Sequence, residues 1–218
     1  MIIDLHTHTN FSDGALSIEQ HLELAGARGY DYIAVTDHVT AELIPQILPL
    51  IIDGCRRFNQ NTHHKLRALP GVELTHLPAE EIPAAVTLAR KLGAKIVGVH
   101  GETIIDEIIV GTNHYAIVGG ADFLAHPGIL SEEDARLAAE KGIFLEITSR
   151  KGHSLTNGRV AKLAIQYAAP ILINSDAHRG FDLYDEVRYN KVAIGSGLTS
   201  EHVREILERA LRLVQSRL

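Results

Sequence analysis

The residues best equipped for chemistry in this chain are its histidines. There are 13, against one Cys, one Met and no Trp. Imidazole is a common metal ligand and proton carrier, so the spacing of these residues matters. His6 and His8 follow a short apolar run, and side chains two apart share one side of a strand. The pair can therefore grip one ion together. Asp176 and His178 repeat the spacing. Asp13, His38, Glu73, His100 and His126 stand between them, most directly after an apolar run. Six histidines (His6, His8, His38, His100, His126, His178) and three carboxylates (Asp13, Glu73, Asp176) make nine candidate ligands. At about three to five protein ligands per transition ion, they suffice for two or three divalent ions. Mixed imidazole and carboxylate donors suit zinc, manganese or iron, not a thiolate site. One such histidine is easily satisfied by a core. Nine groups recurring at strand ends are not, because unpaired buried ionisable groups are costly.

The elements that must position these groups are legible as alternating patterns. Apolar, β-branched runs predict strands over 2–5, 32–36, 66–74, 95–99, 122–125, 143–147 and 170–173. Ser17 with Gln20 forms a capping box for a helix running to about Arg28, with Gly29 as its stop. Further helices are expected over 42–59, weakened at first by Pro45 and Pro49, and over 83–92, 131–141 and about 158–167. A last helix starts near Thr199 and carries Val203, Ile206, Leu207, Ala210 and Leu213 on one side. Strands alternating with helices call for a parallel sheet. At about 30 residues per βα unit, the chain holds about seven units. Nearly every predicted strand stops at a group able to hold a metal or substrate. In a closed barrel these ends meet on one face, where such barrels carry active sites. In an open sheet the outer strands lie too far apart, so the pattern favours a (β/α) barrel.

Composition narrows the setting. The 218 residues are 45% hydrophobic and 22% charged, which suits one globular domain over 1–218. A single Cys55 excludes an internal disulfide and fits a reducing, cytoplasmic compartment. No signal peptide is expected at the start. The apolar stretch at 43–52 is too short and too proline-rich to span a bilayer, so no membrane role is expected. Lys and Arg number 21 against 27 Asp and Glu, a net charge of −6. A generic grip on nucleic acid is not expected.

Taken together, these motifs resemble the PHP family, named for polymerase and histidinol phosphatase. Asp4-Leu5-His6-Thr7-His8-Thr9 with Ser12-Asp13-Gly14 is similar to its first motif, and Thr36-Asp37-His38 to its second. Gly71-Val72-Glu73, His100 and Ala125-His126-Pro127-Gly128 resemble the middle ones, and Ser175-Asp176-Ala177-His178 the last. His100-Gly101-Glu102-Thr103 and Arg150-Lys151-Gly152-His153 resemble small, histidinol-phosphatase-like members. The resemblance implies a distorted seven-unit (β/α) TIM-like barrel with a trinuclear metal site at the C-terminal strand ends. His6, His8, Glu73 and Asp176 would hold a first ion. A bridging Glu73 with His100 and His126 would hold a second, and Asp13, His38 and His178 a third. The implied activity is a metal-dependent phosphoesterase acting on a small phosphorylated substrate, histidinol phosphate being one candidate. Metal-activated hydroxide would be its nucleophile.

Around this set, Arg150 and Arg179 are candidate phosphate clamps, Lys151 a point charge, and His153 a proton donor to the leaving alkoxide. Asp4 and Asp37 are expected to orient neighbouring ligands. Glu102 either supports a ligand or touches substrate. Glu146 either supports Arg150 or forms a plain ion pair. His21 and His202 are expected on helix surfaces, His63 and His64 at a helix end, His76 and His114 in surface positions near active-face loops, and Cys55 in the core. Alternative readings are a phosphodiesterase or 3′–5′ exonuclease, an amidohydrolase, and a metal-binding module without turnover. The acidic balance opposes the nuclease, and no aromatic-basic track is evident. His100 and the Asp-x-His stand where an amidohydrolase would carry a bridging lysine and a lone aspartate. The module is opposed by the complete ligand set. The oligomeric state stays open, since the last helix can cover the barrel or meet another subunit.

Overall fold

The computed structural model describes residues 1–61 and 65–218; His63 and His64 lie outside the described residues. Its elements are β1 (Ile3–Asp4), α1 (Ile18–Ala27), β2 (Tyr32–Val35), β3 (His38–Val39), α2 (Ile44–Gln60), β4 (Arg67–Leu74), α3 (Ile82–Lys91), β5 (Ile96–His100), α4 (Thr112–Val118), β6 (Phe123–Ala125), α5 (Glu132–Lys141), β7 (Phe144–Thr148), α6 (Asn157–Tyr167), β8 (Ile171–Asn174), α7 (Glu186–Gly195) and α8 (Ser200–Arg217). Neighbouring strands run parallel in the order β1-β2-β4-β5-β6-β7-β8. A bridge between Thr7 and Ala177 brings the last strand back to the first. There His8 N donates to Ala177 O and Asp176 N donates to His6 O. The result is the expected seven-stranded barrel. The two-residue β3 was not expected; after Thr36 and Asp37 leave the ladder, His38 pairs with Glu73 and Val39 with Leu74.

Strand alternation sorts side chains into two cores. Leu69, Ile96, Phe123, Phe144 and Leu172 pack inside the barrel, while Val72, Val97, Leu124, Leu145 and Ile173 face the helices. Side chains repeat every second residue, so the inward rows run on to Glu73, His100, Glu146 and, just past β8, Asp176. The far end is covered by α8, whose Ala210 and Val214 join the interior cluster. Part of its apolar side thus meets the barrel. Asp122 pins that end. Its Oδ1 lies 2.7 Å from Arg90 Nη2 and 2.7 Å from Arg217 Nη2, and its Oδ2 accepts from Val97 N.

Helix ends follow the sequence signals closely. The Ser17–Gln20 capping box forms as expected, and Gly142 takes the left-handed conformation after α5 at φ 68°. Two helices, α4 and α7, carry too weak an apolar pattern to be foreseen; α7 buries only Tyr189 and Ala193. His21 corrects an expectation. It lies on the same face of α1 as Ile18, Leu22 and Ala25 and is buried, not on the surface. His202 instead caps α8, with its Nδ1 accepting from Thr199 N. Cys55 is buried and unpaired, as expected. Among the described residues no helix is long and apolar enough to cross a membrane.

Candidate metal centre

All nine candidate ligands converge at the C-terminal mouth of the barrel. Glu73, fully buried, is the hub. Its Oε2 lies 3.1 Å from His6 Nε2, 3.5 Å from His8 Nε2 and 2.9 Å from His38 Nδ1. Its Oε1 faces the other way, 3.2 Å from His100 Nδ1 and 3.6 Å from His126 Nε2. Asp176 Oδ1 lies 3.2 Å from His8 Nε2, and Asp13 Oδ2 lies 3.0 Å from His178 Nε2. Donor atoms gather within 4.8 Å of one another in four overlapping sets: His8, Asp13, His38 and His178; His6, His126 and Asp176; His6, His8 and Glu73; and His38, Glu73 and His100.

The chemistry of these donors fits divalent cations. His6 Nε2, both nitrogens of His8 and of His126, His100 Nδ1 and both oxygens of Glu73 are buried without a hydrogen-bond partner. Buried polar atoms are normally paired, and stranding this many together is tolerable only where they share a positive ion. Two ligands also hold unusual backbones: His126 at φ 25° and Asp176 at φ 53°. Left-handed conformations at non-glycine residues persist where the surroundings impose them, commonly at functional sites.

The protonation equilibria show the same crowding. Burial opposes charge on His6, but Glu146, Glu73 and Asp176 outweigh it and hold its pKa well above the ordinary value. Burial, then the neighbouring His38 and His6, drive His8 well below. Burial and His100 do the same to His126. Glu73 resists burial because His6, His38 and His100 surround it, and it stays well below the usual carboxylate range. Burial pushes Asp176 up to about 6.

Supporting residues orient this set. Glu146 is the one whose role differs most from expectation. Its Oε1 lies 2.7 Å from His6 Nδ1 and accepts from Asn174 Nδ2 at 2.8 Å, while Oε2 accepts from His126 N at 2.8 Å. It thus steadies two candidate ligands, not Arg150. Asp37 accepts from Thr9 N, Thr9 Oγ1 and Ser12 Oγ, each at 2.7 Å, fixing the turn that carries Asp13. Asp4 accepts from His6 N and Ser175 N. Glu102 is a loop anchor, its Oε1 accepting from Gly111 N and Asn113 N.

The residues expected to handle phosphate are more dispersed. His153 stacks on His126 with ring centroids 4.1 Å apart, and its Nδ1 lies 2.7 Å from Thr103 Oγ1. Burial, then the nearby His100, lowers its pKa to about 4, so its imidazole is neutral at neutral pH. Arg150 Nη1 lies 3.5 Å from Asp182 Oδ2, an atom that also accepts from the backbone nitrogens of His178 and Arg179. Arg179, next in sequence to His178, is exposed, its guanidinium carbon 5.9 Å from the centre of the Phe181 ring. A cavity of about 640 Å³ opens above the set, with Asp13, His38, His76, His100, Asp106 and Glu107 among its lining. Asp106, 3.4 Å from His100 Nε2 and 3.7 Å from His153 Nε2, has no motif to announce it. His114 pairs with Asp134 at the surface.

A parallel (β/α) barrel with an imidazole and carboxylate pit at its C-terminal mouth defines the metal-dependent barrel hydrolases. Within that class the chain belongs to the PHP domain family, whose model matches residues 4–217. It is similar to an uncharacterized protein of Methanocaldococcus jannaschii, 38% identical over 208 residues that cover 95% of each chain. It is also similar to a probable phosphatase of Thermoanaerobacter sp., 28% identical over 93% of this chain and 89% of the relative. Histidinol phosphate phosphatase of Lactococcus lactis, solved with zinc, L-histidinol and phosphate, shares the fold with a TM-score of 0.65 at 14% identity, over 91% of this chain and 94% of that one.

Proposed function

We propose that this protein is a metal-dependent phosphomonoesterase with three divalent ions, acting on a small phosphorylated alcohol, histidinol phosphate being one candidate. The observation that carries the reading is the opposed orientation of the two buried, unpartnered oxygens of Glu73, one toward His6, His8 and His38 and the other toward His100 and His126. A carboxylate so placed suits a bridging role. His6, His8, Glu73 and Asp176 would hold one ion, Glu73, His100 and His126 a second, and Asp13, His38 and His178 a third. Zinc, manganese or iron there would supply a strong nucleophile from water at neutral pH and offset the charge of the phosphoryl oxygens. The probable phosphatase relative and the phosphate-bound barrel neighbour support the same class.

The chain's own residues have distinct tasks in this reading. Glu146 holds His6 and the His126 backbone in register. Arg150, tethered beside His178 by Asp182, brings positive charge toward the phosphoryl group and can clamp two of its oxygens. Lys151 and Arg179 add charge at the rim. His153 is neutral, so it serves the leaving oxygen as a hydrogen-bond donor from Nε2–H, with Nδ1 turned to the Thr103 hydroxyl.

The test is hydrolysis of para-nitrophenyl phosphate and bis-para-nitrophenyl phosphate by the manganese- or zinc-loaded protein, beside an Asp176→Ala/His178→Ala double variant. We expect turnover of the monoester, lost in the variant. Preference for the diester would move the reading to a phosphodiesterase or exonuclease. Metal binding without turnover of either ester would leave a binding module.

A further inference from the structure

The barrel closes where β1 meets β8, and side chains do much of the closing. Beside the bridge of Thr7 and Ala177, Asn174 Oδ1 accepts from Leu5 N at 2.9 Å and Asp4 Oδ1 accepts from Ser175 N at 3.1 Å. Each strand thus lends the other a side chain where a backbone ladder would otherwise run.

Asn174 does more than close the seam. Leu172 packs inside the barrel, and strand alternation puts Asn174 and then Asp176 on the same side. The Asn174 side chain is buried. The far end of its amide, Nδ2, donates to Glu146 Oε1 at 2.8 Å. The same oxygen lies 2.7 Å from His6 Nδ1, and Glu146 Oε2 accepts from His126 N at 2.8 Å. One neutral amide therefore links the β1 backbone to the carboxylate that steadies two candidate ligands.

The directions of these bonds are forced in sequence. A backbone N–H can only donate, so the atom facing Leu5 N is the amide oxygen, and the amide N–H groups face Glu146. A flipped amide would set donor against donor at Leu5 and oxygen against oxygen at Glu146. Both oxygens of Glu146 then accept, so the hydrogen between Glu146 and His6 belongs to His6 Nδ1. That leaves Nε2 as the only ring nitrogen of His6 able to bind an ion. Nε2 is also the nitrogen that is buried without a hydrogen-bond partner, 3.1 Å from Glu73 Oε2.

We propose that Asn174 is a positioning residue of the metal centre: its amide sets the direction of the hydrogen bonds through Glu146, and so decides which nitrogen of His6 is presented to the ion. An aspartate at 174 has the same shape and still accepts from Leu5 N. It turns an oxygen toward Glu146 Oε1, and two buried carboxylates then oppose each other. The assignment rests on the metal-centre reading and is independent of turnover.

Three proteins test it: wild type, Asn174→Asp, and the double variant Asn174→Asp/Glu146→Gln. In the double variant the glutamine NH2 donates to the aspartate and to His6 Nδ1, while its oxygen accepts from His126 N. Every partner is satisfied again, but the bond at His6 is reversed and the ring hydrogen moves to Nε2. Zinc affinity is measured by competition with a chromophoric chelator. The Tm of metal-free protein is measured by calorimetry, and the ring nitrogens of His6 are followed by 15N NMR. We expect one zinc ion of the set to bind about 10- to 100-fold more weakly in Asn174→Asp, the range for groups that orient a metal ligand. In the double variant we expect metal-free Tm to recover and His6 Nδ1 to lose its hydrogen, while zinc binding stays weak. Zinc binding that recovers together with Tm would show that Asn174 serves packing and charge balance alone, and overturns the assignment. So does wild-type zinc affinity in Asn174→Asp. If that single variant does not fold, the double variant decides by itself, and wild-type affinity there overturns the assignment. All these failures leave the metal-centre reading standing; a wild type that binds no zinc sinks that reading and takes the assignment with it.

Discussion

At the residue scale, the separation between structural and chemical histidines is set by their neighbours, not by their burial. His21 and His8 are both fully enclosed, yet only His8 sits among carboxylates. The pKa of His21 falls to about 4 through burial alone, and its Nε2 has no hydrogen-bond partner. This has a consequence for stability against pH. The unfolded chain binds a proton at His21 near pH 6.5, whereas the folded chain resists it until about pH 4. Folding is therefore favoured above pH 6.5 and loses stability as pH falls from 6.5 to 4, by about 3 kcal/mol across that window. His21→Leu removes the titrating group while keeping an apolar volume on the inner face of α1. We expect the urea midpoint of metal-free wild type to drop between pH 7 and pH 4.5 by clearly more than that of His21→Leu. Parallel pH profiles for the two proteins would show that His21 is not the cause. The surface placement expected for this residue overlooked that position 21 falls three after Ile18, on the stripe that α1 buries.

At the element scale, what was legible were features repeated along short windows. The capping box of α1 was readable because it is a contact between residues three apart in the chain. The strand ends were readable because each apolar run stops at a polar group. What escaped depends on contacts between distant segments. Helix α4 starts at a glycine with no side-chain cap and relies on Glu102, nine residues earlier, for its first N–H groups. Glu146 could be placed on β7, but its partners His6 and Asn174 lie 140 and 28 residues away. The barrel interior gives a sharper case. Gly98 on β5 faces Phe123 on β6, and a Cβ at Gly98 would come within 2.3 Å of the ring. The same ring packs 5.4 Å from that of His6. Gly98→Ala should therefore overpack the layer just beneath the metal centre, costing about 1–3 kcal/mol. Phe123→Leu in the Gly98→Ala background should recover part of that loss by vacating the ring's space. Chemical denaturation of the two single variants and the double variant measures the coupling. Simple additivity would show that the ring and the glycine do not meet.

At the scale of the whole molecule, one end of the barrel is fastened by its own groups and the other is not. At the far end, Asp122 joins α3 and α8 through Arg90 and Arg217, and α8 lays Ala210 and Val214 against the interior. At the mouth, opposed carboxylates and imidazoles from β1, β3, β4, β5, β6 and β8 are packed within a few ångströms, many without partners. Strand pairing between β1 and β8 is also thinnest there, resting on the single bridge of Thr7 and Ala177, which lies between the ligands of both strands. Ions bound at the mouth would then do two things at once: satisfy the stranded donors and tie the first strand to the last. A ligand that binds only the folded state at 100 times its Kd adds about 2.7 kcal/mol. For a chain of this size that corresponds to a rise in Tm of about 5–10 °C. We expect manganese or zinc to raise Tm by at least that amount over protein treated with a chelator, and the Asp176→Ala/His178→Ala variant to lose most of the gain. Amide exchange should locate the effect, with slower exchange at His8 N and Asp176 N, the two donors of the β1–β8 seam, and little change at Val97 N beside Asp122. Uniform slowing across the barrel would mean that the metal stabilises the fold as a whole and leaves the seam no special role. No change in Tm would remove the metal centre as the reason for the stranded donors.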